Sequence, residues 1–315
     1  EAQQEDIEKD ILIFEQAQRR SILVTTDSVC DLPESLRKEF SLSVCPYYVC
    51  TEEGRFLDGA ELSPDELLAH IAGGRKGYSH PPEVEDYERF FAEKLTEAQN
   101  VIHITMARHV SDGYQNACEA AKSFENVTVL DSGHLSSSMG LVVLCAAYMA
   151  EHHAAKEEIL EAVKRMERFI SSAFIINNTH MMCQSGRIPK RIQILCDALL
   201  LHPVLALKRS RMVVSRMEIG SFSHAAKKYV KRTLQNTGNI DRRILFITYS
   251  GMDEKRLRFI QSLVQQYCPF ERVYLQKASS AIASNCGPGS FGLLFMRRDD
   301  AAVPFFQTAA HDGTV

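Results

Sequence analysis

The stretch Ser21-Ile22-Leu23-Val24-Thr25-Thr26-Asp27-Ser28 decides how the chain is read. Its run Ile22–Thr26 is aliphatic and β-branched, which is strand chemistry, and it stops at Asp27-Ser28. Leu32-Pro33-Glu34 then opens a helix with a proline and an acid in its first turn, and Ser43–Cys50 reads as the next strand. The same succession returns further on. Val101–Thr105 is followed by a polar loop and a helical Gly113–Ser123, and Val127–Leu130 by a polar loop and a helical Met139–His152. Strand, loop and helix in repetition imply a parallel sheet with helices on its faces, and such sheets place ligands at the carboxyl ends of their strands. Ile159, Val163, Met166 and Ile170 recur at helical spacing and predict a closing helix over Lys156–Ser171.

From residue 173 the character changes. Strand-like Ala173–Ile176, a helix through Ile194–Leu200, strand-like Pro203–Leu207 and Arg211–Ser215, and a helix over 222–236 lead to strands at Ile244–Tyr249, Arg272–Gln276 and Leu293–Met296. The organisation expected is α/β throughout: an N-terminal helical extension (1–20), an N-terminal parallel-sheet α/β/α domain (21–172), a second α/β domain (173–298) and a polar tail (299–315). Ile7, Ile11 and Phe14 give the extension its helical spacing.

The 315 residues carry 36 Lys plus Arg against 40 Asp plus Glu, a net charge of −4, which argues against nucleic-acid binding by bulk electrostatics. The longest apolar run, Leu141–Ala147, is far short of a bilayer crossing, and no charged-then-apolar leader opens the chain, so a cytoplasmic protein is expected. Nine cysteines without a C-x-x-C pair speak against both a disulfide framework and a zinc site, and no metal is expected.

The chemistry sits in the loops. Thr25-Thr26-Asp27-Ser28, Ser111-Asp112-Gly113 and Asp131-Ser132 with Ser136–Ser138 offer hydroxyls at strand ends, a neutral donor array suited to a carboxylate; Asp and Ser at such places also cap helices. Asn285-Cys286-Gly287-Pro288-Gly289-Ser290-Phe291-Gly292 contains G-x-G-x-x-G, but it runs into a strand instead of opening a helix, which removes the dinucleotide reading. Ser111 with His80 or His109 and an Asp would make a hydrolytic triad, and Cys286 or Cys183 a thiol nucleophile, although no G-x-S-x-G elbow exists. Between Gly186 and Arg216 seven basic residues face one acid, a local balance of +6 that suits either a solvated face or a docking patch for an acidic partner.

In order along the chain, TTDSVCD (25–31), YSHPP (78–82), VSDGYQNA (110–117), VLDSGHLSSSMG (129–140), QSGRIPK (184–190) and ASNCGPGSFG (283–292) resemble the DegV family, over about residues 21–297. The resemblance implies a two-domain α/β protein that buries one long-chain fatty acid in an apolar tunnel. It further implies the FakB type of role, a non-enzymatic subunit that presents the carboxylate to a separate ATP-binding fatty-acid kinase subunit and carries the acyl phosphate. No cofactor other than the bound lipid is implied. The family's T-S-Q-P-S segment falls on Tyr78, Ser79, His80, Pro81 and Pro82, and its S-G-x-S-G-T-Y loop ends on Ser111, Asp112, Gly113 and Tyr114. Its H-T-G-x-G falls on Asn285-Cys286-Gly287-Pro288-Gly289, so an amide replaces the histidine.

The ligand-binding residues expected on this basis are Ser111, Ser79, Tyr78, His80, Gly113, Ser28, Asn285, Cys286 and Gly287, with Ser111 as the carboxylate contact. Asp112 is expected to cap the following helix, since an acid beside a bound anion would disfavour it. Phe174, Ile176, Met181, Leu200 and Leu205 are candidates for the tunnel wall. Two alternatives stand: an acyl hydrolase using Ser111, and a family member binding another small anionic ligand.

Overall fold

The computed structural model describes residues 19–184 and 188–298. The helix expected over 1–20 therefore lies outside the described residues except for Arg19 and Arg20, and so does the tail 299–315.

β1 (Arg20–Asp27) leads through α1 (Glu34–Glu39) to β2 (Ser43–Cys45). The single strand expected over Ser43–Cys50 is broken at Pro46, which has no N–H to give a ladder. Beyond it, β3 (Tyr48–Thr51) pairs antiparallel with β4 (Gly54–Leu57) and, after α2 (Pro64–Ala72), with β5 (Gly77–His80), forming a separate three-stranded sheet. α3 (Val84–Glu97), β6 (Ala98–Thr105), α4 (Gly113–Ala121) and β7 (Val127–Asp131) complete the parallel sheet, in the order β2-β1-β6-β7. Buried on both faces, β1 reads as the continuous apolar run such a sheet needs.

Next come α5 (Ser136–Glu151) and α6 (Lys156–Met166). The helix expected to reach Ser171 stops at Met166, because Ile170 and Ser171 pair with Met296 and Phe295 in a strand: tertiary pairing overrides the helical spacing of Ile170. That strand, β8 (Ile170–Ile175), precedes α7 (His180–Gln184), α8 (Lys190–Ala198), β9 (Leu201–Lys208), β10 (Arg211–Ile219) and α9 (Phe222–Leu234). β11 (Ile240–Tyr249), α10 (Glu254–Tyr267), β12 (Arg272–Lys277), α11 (Ser280–Cys286) and β13 (Phe291–Arg297) follow. The six-stranded sheet runs β10-β9-β8-β13-β11-β12 and is antiparallel except between β11 and β12.

α5 joins the two halves. Every residue from Ser136 to Ala147 is buried, so the helix has no polar face, as befits one packed against β1 on one side and β8, β11 and β13 on the other. One apolar cluster consequently runs from Val24 and Ile102 through Leu141 to Phe246 and Leu294. The polar start of α5 is satisfied by contacts across the structure. Ser137 Oγ donates to the Asp31 carbonyl (2.5 Å) and lies 2.6 Å from Thr248 Oγ1, and Ser138 Oγ lies 2.9 Å from Ser172 Oγ. Ser136 holds a left-handed φ of 57°, costly for a non-glycine residue, while its Oγ donates to Asp31 Oδ2 at 2.5 Å.

Asp31 is buried, and burial raises its pKa from 3.8 to about 7 against the opposing pull of its Ser136 and Ser279 hydrogen bonds. The folded protein thus holds this proton more tightly than the unfolded chain. The stabilisation is full below about pH 4 and is lost as pH rises through about 7, with a slope of at most about 1.4 kcal/mol per pH unit. Urea unfolding between pH 5 and 8 should show this falling contribution. Asp31→Asn, which still accepts from Ser279, should flatten it; an unchanged pH slope in Asp31→Asn would refute the assignment.

Candidate functional site

Where the two halves meet, the ends of β6, β5 and α11 surround a cavity of about 210 Å³. Val29, Met106, Val110 and Leu135 supply its wall from the N-terminal half, Phe174, Met182, Leu205 and Met212 from the other, and Ala281 and Ile282 from α11. The polar lining is Tyr47, Ser79, Ser111, Asp112 and Asn285, with Cys286 beside them. Among the described residues lining the cavity, Asp112 is the one charged group, and it is exposed. An apolar chamber with a few clustered hydroxyls and amides fits an amphiphile with a long apolar body and a small head.

Four of the nine expected ligand residues line this cavity together: Ser79, Ser111, Asn285 and Cys286. Asn285 Nδ2 reaches Ser79 Oγ at 3.2 Å and the Ala281 carbonyl at 2.9 Å, tying α11 to β5. The other five sit elsewhere. Ser79 lies mid-strand, and side chains alternate along a strand, so Tyr78 and His80 point the opposite way: Tyr78 is 55% exposed, and His80 Nδ1 turns to the Pro81 carbonyl at 2.8 Å. Ser28 Oγ donates to Asp58 Oδ2 (2.7 Å) and accepts the Tyr47 N–H (2.9 Å); it lines a second void of about 390 Å³ with Asp31 and Asp58. Gly113, the buried first residue of α4, donates its N–H to Ser111 Oγ at 3.2 Å. Gly287, at φ 74°, closes α11.

Asp112 occupies the cap position of α4, yet its side chain makes no capping bond; Ser111 accepts from the helix instead. Of the expected wall residues, Phe174 and Leu205 line the cavity, Ile176 and Met181 are buried in neighbouring clusters, and Leu200 is exposed. Sequence reasoning missed Tyr47 altogether, since it belongs to none of the loop motifs. Its hydroxyl lies 2.9 Å from Ser111 Oγ, and burial, with Asp27 nearby, pushes its pKa well above 10.

Among the described residues Ser111 has no histidine partner: its hydrogen bonds run to Tyr47 and to Gly113 N. The buried acid and histidine near it serve the framework. His103 Nε2 lies 3.1 Å from Asp27 Oδ1, Tyr87 donates its hydroxyl to the same oxygen at 2.8 Å, and Thr25 Oγ1 lies 2.9 Å from His103 Nδ1. Phe90, Phe91 and Tyr87 set their rings edgewise on His103, and Asp27, Tyr87 and His103 are not among the residues lining the cavity.

Comparison with known proteins gives a consistent picture. The family model for the DegV family, described as one of uncharacterised proteins, matches residues 21–298. A DegV domain-containing protein of Caldanaerobacter subterraneus is 24% identical over 277 residues, covering 87% of this chain and 98% of its own. A Thermus thermophilus DegV family protein, described by its fatty-acid binding, superimposes with a TM-score of 0.78 at 28% identity, over 88% of this chain and all of its own. Bacillus subtilis DegV, described as a fatty-acid-binding protein, shares the fold with a TM-score of 0.77 at 18% identity, over 89% of this chain and all of its own. The α/β fold with a parallel-sheet half and a second, mixed-sheet half is the one these structures share. Among the described residues no helix is long and apolar enough to cross a membrane.

Ala281 lines the cavity from α11 and is itself buried. Ala281→Leu should fill part of the void, raising the stability of delipidated protein by up to about 1 kcal/mol while reducing its capacity for an apolar ligand. Urea denaturation and ligand titration of the variant check both; unchanged stability together with unchanged uptake would show that Ala281 does not face the void.

Proposed function

The chain belongs to the DegV family, and from that membership we propose that it binds one long-chain fatty acid in the cavity between its halves. In this reading the acyl chain lies along Val29, Met106, Leu135, Phe174, Leu205 and Ile282, and the carboxylate meets Ser111, Ser79 and Asn285. The observation that carries it is a mostly apolar cavity whose polar lining is made of a few hydroxyls and an amide with the single acid Asp112, in a fold whose relative from Thermus thermophilus is described by fatty-acid binding.

Energetics favours such a ligand. Burying about 14 methylenes at roughly 0.8 kcal/mol each gives on the order of 11 kcal/mol before ordering costs, so affinity comes from the tail and the hydroxyls only orient the head. A chain of that length outgrows 210 Å³, and the void of about 10 Å³ against Phe174, Ile282 and Cys286 adds little, so the wall must yield to hold it. The protein then hands the exposed carboxylate to a separate ATP-using kinase subunit in the cytoplasm and needs no cofactor of its own. Lys190, Arg191, Lys208, Arg209 and Arg211, all exposed, carry the positive charge that an acidic surface of that subunit would meet.

Mass spectrometry of lipid extracted from the purified protein tests the reading. A C16–C18 acid in near-stoichiometric amount is expected; a non-lipid anion would favour the small-anion alternative, and turnover of an acyl ester by the protein alone would favour the hydrolase. Ser111→Ala should weaken retention by about 1–3 kcal/mol with folding intact. Unchanged retention, and unchanged phosphorylation by an ATP-using subunit, would take Ser111 out of the site.

A further inference from the structure

Tyr47 stands just after Pro46, and its main chain is fixed from both sides. Its N–H donates to Ser28 Oγ at 2.9 Å, and its carbonyl accepts the Asp58 N–H at 2.9 Å. The side chain is 2% exposed and ends 2.9 Å from Ser111 Oγ. Among the described residues, Ser111 Oγ is the one acceptor within reach of the phenol proton. Either hydroxyl could be the donor; the arrangement in which Tyr47 donates pairs the buried phenol proton and leaves the serine proton to the cavity. Gly113 N–H also donates to Ser111 Oγ, at 3.2 Å.

In that arrangement two donors occupy the two lone pairs of the Ser111 oxygen, leaving its own proton as its sole free hydrogen-bonding group, at the cavity wall. We propose that Tyr47 is a positioning and specificity-determining residue: by donating to Ser111 it fixes that serine as a pure donor, so that the cavity selects an amphiphile whose head is a hydrogen-bond acceptor, a carboxylate, over one whose head must donate. The proposal rests on the fatty-acid reading above and deepens it.

The local sequence is built around this contact. A Cβ at position 113 would collide with the Tyr47 hydroxyl and lie 3.2 Å from that of Tyr87, so a side chain at 113 and the phenol compete for one space. Glycine there lets the phenol reach Ser111 while the neighbouring amide still donates to the same oxygen.

The experiment compares palmitate with hexadecylamine, measured by displacement of a fluorescent fatty acid, in the parent, Tyr47→Phe, Ser111→Ala and the double variant. Tyr47→Phe removes one oxygen and should weaken palmitate about 5- to 10-fold while leaving hexadecylamine unchanged or slightly tighter, since Ser111 becomes free to accept. In the Ser111→Ala background the same substitution should change palmitate by less than about 2-fold, because its route to the ligand is gone. Equal losses for both ligands, an undiminished loss in the Ser111→Ala background, or no loss would each overturn the proposal.

A ligand-free arm separates it from the broader reading. Gly113→Ala should destabilise the parent, and Tyr47→Phe should relieve part of that loss; absence of relief would show that the phenol does not occupy this space. If the parent binds neither palmitate nor the fluorescent acid, the fatty-acid reading fails and the ligand preference falls with it. Should Tyr47→Phe fail to fold, Gly113→Ala displaces the phenol from the other side and must produce the same selective loss of palmitate.

Discussion

Two buried carboxylates of the N-terminal half hold the first turn of α11 in the other: Asp31 accepts the Ser279 N–H at 2.9 Å and Asp58 the Ala281 N–H at 3.1 Å. Each spends its second oxygen on a hydroxyl, Ser136 for Asp31 and Ser28 for Asp58, so neither acid is left with an unmet acceptor. Desolvation raises both pKa values, which marks the grip as costly to build and costly to break on one side only. What it fixes is register. α11 carries Asn285 and Cys286 at its far end, and holding its start against the parallel-sheet half brings Asn285 to Ser79 and both residues to the cavity wall.

The same constraint explains where apolar space is left over. α5 presents apolar or hydroxyl groups to both sheets and joins them into one core, and the cavity lies at the end of that core, where loops replace regular packing. Its wall includes Met106, Met182 and Met212, unbranched side chains that fill irregular gaps and yield to an occupant. Among the described residues no lysine, arginine or histidine lines it, so binding that depends on burying a long tail needs only orientation at the head. Among the described residues the hydrogen-bond partners of Ser111 are the Tyr47 hydroxyl and the Gly113 N–H, neither of them the base that a catalytic serine needs.

The sequence by itself determined the alternation of strand, loop and helix, and with it the parallel sheet, because buried parallel strands must be continuous apolar runs such as Ile22–Thr26. It also singled out nine polar or small residues by motif, and four of them, one in a loop, one in a strand and two at a helix end, line one cavity. The remaining five show what a motif leaves open. Tyr78, Ser79 and His80 are neighbours in the chain, but a strand sends alternate side chains to opposite faces, and only the β3 pairing of β5 decided that Ser79 faces inward. Ser28 and Gly113 act one bond removed from the cavity, through Tyr47 and Ser111, and the Ser28–Tyr47 and Tyr47–Ser111 contacts, 19 and 64 residues apart, leave no local trace.

Tyr47 itself was invisible for that reason. Nothing near Cys45-Pro46-Tyr47 distinguishes a buried phenol aimed at residue 111 from an ordinary strand aromatic. Pro46 ended one sheet, and Ser28 and Asp58, both distant in sequence, anchored the chain beyond it and so placed the hydroxyl. The helix expected through Ser171 failed similarly: Ile170 fits a helical face by spacing, and only its pairing opposite Met296 made it a strand. Periodicity reports which face of an element is apolar; the tertiary structure decided what each face meets, because hydrogen-bond partners and close contacts are set by the packing of segments that the chain brings together from far apart.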